Sequence, residues 1–124
     1  APTVETTADT CAEHPEPVAC FVEGAIQGSY NYLYNDDSAA RAMITAANPD
    51  MTQDKIDFAI SKVLSGGIVD SGDALELGIG AMTEAKIGDF YGKMVEAGVI
   101  EGDLDYSSAY NTKFVNAKVG MDLR

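Results

Sequence analysis

His14 is the one histidine of the chain, and Cys11 stands three residues before it. On a helix that spacing puts two side chains on one face, so a thiol and an imidazole could meet as a nucleophilic pair requires. Pro15 follows directly, and no oxyanion-binding loop is in evidence, so a histidine at the end of a surface helix is the better reading. Carboxylates recur in pairs: Asp36-Asp37, Asp70 with Asp73, Asp103 with Asp105. General acid–base work needs two carboxylates with divergent environments. Each of these pairs instead falls in a polar turn, where Asp is favoured for capping. Asp70 and Asp73 also lack the alternating oxygen ligands of a calcium loop. Cys11 and Cys20, nine positions apart with a single histidine between them, do not make a zinc site. Gly78-Ile79-Gly80-Ala81-Met82-Thr83 precedes a predicted helix, as a phosphate-cradling turn does. The third glycine and the preceding strand of a dinucleotide fingerprint are missing, which leaves a bend or a close packing contact. No catalytic residue, metal or cofactor is expected, and the chain does not read as an enzyme.

The elements that would position these residues are mostly helical. Thr6 or Thr7 can cap a short first helix, which Pro15 stops. A second helix is predicted from about Glu16 to Tyr34, with Val18, Phe21, Val22, Ala25, Ile26 and Tyr32-Leu33 at helical spacing. Tyr30, Tyr32 and Tyr34 point in different directions on that helix and cannot all be core; one or two are expected to meet a neighbour. Ser38 to Ala47 reads as an Ala-rich helix with Ala40, Met43, Ile44 and Ala47 on one side. Thr52 caps a fourth, striped by Ile56, Ala59, Ile60, Val63 and Leu64 and ended by Gly66-Gly67. Residues 68–82 are broken by glycines and read as an extended or irregular connection. Thr83 opens a fifth helix, with Ile87, Phe90, Tyr91, Met94 and Val95 inward and Gly98 as its stop. A last short helical turn is expected between Asp103 and Asn111, with Phe114-Val115 packing down as a terminal arm. Short strands are conceivable only at Thr3-Val4-Glu5 and residues 75–79. The expected fold is mostly α: one helical domain over residues 1–124, five or six helices, at most a minor sheet.

Composition narrows the function. The 124 residues carry 20 acidic and 8 basic side chains, a formal net charge of -12. That balance argues against nucleic acid, which needs clustered Lys and Arg, and against an anionic membrane surface. No apolar run approaches the roughly 18 residues that span a bilayer, so direct membrane insertion is not expected. The chain starts Ala1-Pro2-Thr3 rather than with Met, as a mature or trimmed product would. From spacing alone, Cys11 and Cys20 are either a disulfide around His14-Pro15 or two free thiols.

Several stretches together carry a resemblance. Pro15-Glu16-Pro17-Val18 through Phe21-Val22-Glu23 is similar to a family helix pattern, and Gly28-Ser29-Tyr30-Asn31-Tyr32-Leu33 follows it. Asn48-Pro49-Asp50-Met51-Thr52, Gly67 to Ala74, Gly78 to Thr83, and Leu104-Asp105-Tyr106 to Phe114-Val115-Asn116 come next in family order. The set resembles the C-terminal part of ABC-transporter periplasmic substrate-binding proteins of the nitrate/sulfonate/taurine and thiamine-precursor type. The family's Trp in the second motif is Ser29 here, and no Trp remains.

The resemblance implies the helical C-terminal part of a two-lobed α/β fold, a small organic solute and an ABC permease as partners, and a periplasmic or otherwise exported location. It makes Ser71, Asp73 and Gly80 the candidate ligand-binding residues. An oxidising periplasm favours the Cys11–Cys20 disulfide. A helical part without its sheet has apolar faces with nothing behind them. Phe21, Val22, Ile26, Leu33, Ile60 and Leu64 are the residues expected to be covered, by self-packing, a second copy or a partner chain. The alternative is a free-standing helical interaction or structural subunit derived from that fold, part of a larger complex.

Overall fold

A computed structural model describes residues 3–124. Among them are six α-helices: α1 (Ala8–Glu13), α2 (Pro15–Tyr34), α3 (Ser38–Ala47), α4 (Gln53–Ser65), α5 (Ala74–Leu77) and α6 (Glu84–Glu96). Two 3-10 turns follow, Tyr106–Ala109 and Met121–Leu123. The protein is mostly helical. Thr3-Val4-Glu5 takes no strand form, and no strand occurs among the described residues.

Local chemistry sets most helix ends. The Thr7 hydroxyl accepts from the backbone N–H of Thr10, and that of Thr83 from Lys86, so each satisfies a donor that the first turn leaves free. His14 ends α1 and begins α2, with Pro15 in a first-turn position where its missing N–H is not needed. Thr52 precedes α4, yet its side chain makes no capping bond. Helices α4 and α6 close in the same way. Gly67 (φ 56°) and Gly98 (φ 69°) turn left-handed. The N–H of Ile68 then reaches Val63 O, and that of Val99 reaches Met94 O, which satisfies carbonyls of the last turn.

Residues 74–79 differ from the extended reading. Gly72 (φ 56°) turns the chain, and Leu77 N–H bonds Asp73 O at 2.9 Å. One helical turn forms before Gly78 (φ 96°) breaks it. The glycines that argued against a helix flank α5 rather than interrupt it.

The core gathers around α2. Val22, Ile26 and Tyr30 are buried on one face together with Ile79. Leu33, Val69, Phe114, Val115, Val119 and Met121 pack against them while half-buried. The terminal arm therefore packs down, and it extends beyond Phe114-Val115 to the last 3-10 turn. Tyr30 is the fully buried tyrosine of its trio; its hydroxyl accepts the buried Ile79 N–H at 3.1 Å. Gly120 (φ 71°) lies against that ring, and a Cβ there would meet Tyr30 Cδ2 at 2.9 Å.

Elsewhere the expected inward stripes are covered in part: Ile56 on α4 is fully buried, and Ile44, Ile60, Val63, Ile87, Tyr91, Met94 and Val95 are half-buried. Met43 on α3, Leu64 on α4 and Phe90 on α6 are exposed, as is Phe21 on α2; Phe58, outside the predicted stripe, is exposed too. Helices α3 and α6 bury no residue fully. The amphipathic pattern identified these helices correctly, but their apolar faces are covered only in part. Arg41 joins α3 to α4, paired with Asp37 at 2.7 Å and Asp57 at 2.6 Å. The protein presents 8557 Å² to solvent, where a compact monomer of 13.1 kDa presents about 6,400 Å².

Candidate functional site

The three residues that the resemblance makes ligand candidates lie in the loops on either side of α5. The Ser71 hydroxyl donates to Gly67 O at 2.5 Å. The Asp73 carboxylate accepts from the Thr83 hydroxyl at 2.9 Å. Gly80 is left-handed (φ 82°) and sits over Ile26, where a Cβ would come to 3.6 Å. Ser71 and Asp73 thus make bonds that hold the loop, and Gly80 allows a close approach. The structure does not gather the three around a shared cavity.

Beside them lies a shallow hollow of about 260 Å³, lined by Ala81, Met82, Thr83, Lys86, Ile87 and Phe90. Its wall is apolar, and Lys86 brings a cation to one edge, its Nζ close to Gly72. The far wall is fixed from the chain's other end. Met82 N–H donates to Asn116 Oδ1 at 3.0 Å, and Asn116 Nδ2 donates to Met82 O at 2.8 Å. Asn116 (φ 66°) uses its amide as a backbone substitute, a role that its tolerance of the left-handed region suits. Lys118 N–H adds a bond to Leu77 O at 3.1 Å. Met82, Lys86, Ile87 and Phe90 escaped the sequence reading as a site. Their signal was spacing: Met82, Lys86 and Phe90 fall four residues apart, with Ile87 three before Phe90 and one charge among apolar residues.

A polar cluster stands on the opposite side of the tail. Arg124 forks onto Asp70, with Nε to Oδ2 at 2.8 Å and a second bond from Nη2 to Oδ1. Tyr34 donates its hydroxyl to Asp70 Oδ2 at 2.8 Å, and Asn35 Nδ2 donates to Leu123 O at 2.7 Å. The Asp70 side chain is 5% exposed, so its charge requires these partners. Burial, and then the bond to Asp70, push the Tyr34 hydroxyl above its ordinary pKa. The bond to Asp70 does the same for Arg124. The cluster is well suited to pinning a tail and offers no free group for chemistry.

Cys11 and Cys20 are free thiols, on α1 half-buried and on α2 exposed; the disulfide implied by an oxidising compartment is not made in this structure. His14 is exposed at the α1–α2 joint. Val22 and Ile26 are buried, Leu33 and Ile60 are half-buried, and Phe21 and Leu64 are open to solvent. The face expected to be covered is thus divided between the core and the surface. Among the described residues no three His, Cys, Asp or Glu side chains converge to hold a metal ion. Among the described residues no helix is long and apolar enough to cross a membrane. No family model matches the chain, and neither does any curated protein or any solved structure.

Proposed function

We propose that this protein is the helical C-terminal part of a solute-binding component, which captures a small organic solute for an ABC importer in the periplasm. The observation that carries this reading is the partly uncovered helix layer. A chain that exposes 8557 Å² where about 6,400 Å² suffices has faces suited to a missing sheet. The ordered motifs from Pro15 to Asn116 support a sheet protein of the solute-binding kind, whose motifs they resemble. On this reading the hollow beside Thr83 faces the solute. Its apolar wall takes the solute's body, and Lys86 takes an anionic group. The chain binds and positions; it does no covalent chemistry.

A second reading has support in the spread of the open side chains. Val4, Phe58, Ile68, Leu75, Val99 and Leu104 are exposed in several different segments. A free-standing helical subunit held on several sides by a larger complex would leave that distribution. One experiment separates the two. The gene product, with any upstream coding sequence, is expressed with its own export signals and recovered from the periplasm. Thermal shift against small sulfonates and pyrimidines should show a rise for at least one solute, reduced by Lys86→Ala. A product that stays in the cytosol, shifts with no solute and co-purifies with a stoichiometric protein partner establishes the second reading instead.

A further inference from the structure

A second hollow, of about 280 Å³, lies between the N-terminal segment and the start of α2. Val4, Pro17, Val18 and Phe21 form its apolar lining, with Glu5 and Thr10 at its edge. Phe21 is 65% exposed and Val4 56%. An exposed aromatic ring beside an apolar hollow can become a buried anchor once a partner covers it.

The charged side chains nearest it along the chain are all acidic. Residues 3–40 contain Glu5, Asp9, Glu13, Glu16, Glu23, Asp36 and Asp37, and no Lys or Arg. The first cation along the chain is Arg41, already held by Asp57 and Asp37. Among the described residues none of Glu5, Asp9, Glu13, Glu16 and Glu23 forms an ion pair, and all five are exposed. An occupant must therefore bring apolar bulk for the groove and positive charge for its surroundings. A second copy brings the same carboxylates, and like charges opposed across an interface disfavour it. An anionic membrane surface meets the same repulsion.

We infer that this hollow is a docking site for a cationic amphipathic helix of another protein. Apolar residues at helical spacing seat against Phe21 and Val18, and flanking Lys or Arg face Glu5 and Glu16. The inference concerns a different hollow from the one beside Thr83, and it takes the exposed Phe21 as the seat of a partner helix rather than of a sheet.

The test uses the intact chain and a designed helical peptide with Leu on one face and Lys on the other, followed by fluorescence anisotropy. The expected result is saturable binding, weakened about tenfold or more by Phe21→Ser and by the double change Glu5→Gln with Glu16→Gln. Phe58→Ser, which alters an exposed ring on α4 outside both hollows, should leave binding unchanged, and a Leu/Glu peptide should not bind. Phe21 is exposed, so its variant should keep the parent's circular dichroism. Equal affinity of parent and Phe21→Ser would show mere polycation attraction and overturn the inference. So would binding of Leu/Glu peptide, capture by zwitterionic lipid vesicles in place of the peptide, or self-association of the chain that Phe21→Ser abolishes.

Discussion

Gly120 carries a constraint that no other side chain can share. Its φ of 71° suits glycine, and Tyr30 fills the space where a Cβ would go. Gly120→Ala should cost about 1–2 kcal/mol from the left-handed backbone alone, and more from the clash, read as a lower urea midpoint. Tyr34 gives a pH signature. Its pKa is raised, so the folded state holds the proton more tightly than the unfolded one. The resulting stability is complete below the unfolded value of about 10 and is lost as pH rises through the folded value. Lys93, raised by its bond to Asp89, acts in the same direction. Asp36 works at the other end: bonds from Ser38 lower its pKa, so its contribution is lost as pH falls through the folded value. Alkaline titration followed by NMR should therefore release residues near Leu123 above about pH 10, and Tyr34→Phe should remove the step. Little of this was legible beforehand. Three tyrosines at alternate positions told only that they diverge. Which one is buried depends on Ile79 and Gly120, which lie far along the chain.

Helices were legible where their ends are made locally. Thr7, Thr83, Gly67 and Gly98 act on donors and carbonyls within a turn of themselves, so their residue types predict their roles. Helix α5 was missed because one turn between glycines has no period to read. Inward faces were misjudged for Met43 and Phe90, since a stripe shows that a helix has a buried side only when something lies against it. The site was hidden for a related reason: its wall is held by Asn116, on a different segment from Met82. Helix α3 illustrates the energetic result. It buries no residue fully and is tied to α4 chiefly through Arg41, whose pKa is raised by its bonds to Asp57 and Asp37. Its amides should exchange with deuterium faster than those of α2, which holds the core. Arg41→Gln should hasten exchange in α3 and leave α2 unchanged. Equal protection of α3 and α2 would disprove this ordering.

At the scale of the molecule, surface outweighs core. Among the described residues six apolar ones are buried, Val22, Ile26, Tyr30, Ile56, Ala74 and Ile79. Eleven large ones are exposed, so unfolding uncovers less new surface than it would in a compact domain. The isolated chain should bind an apolar dye in native buffer. Its urea dependence should lie near the lower end of the roughly 1–3 kcal/mol/M seen for small proteins. No dye binding with a steep urea transition would mean that the faces are closed in solution. The charge of -12 opposes unspecific clumping, so exposed faces and solubility can coexist.

The pairing of Tyr30 with Ile79, and of Asn35 with Leu123, spans 49 and 88 positions of sequence. Such closures come late in folding, because chain entropy must be spent before the contact returns anything. On the ribosome, α2 would emerge with its apolar face bare and wait for nearly the whole chain. Through that interval it would be a natural client for a chaperone, and a stalled or shortened product would leave Tyr30 without its cover.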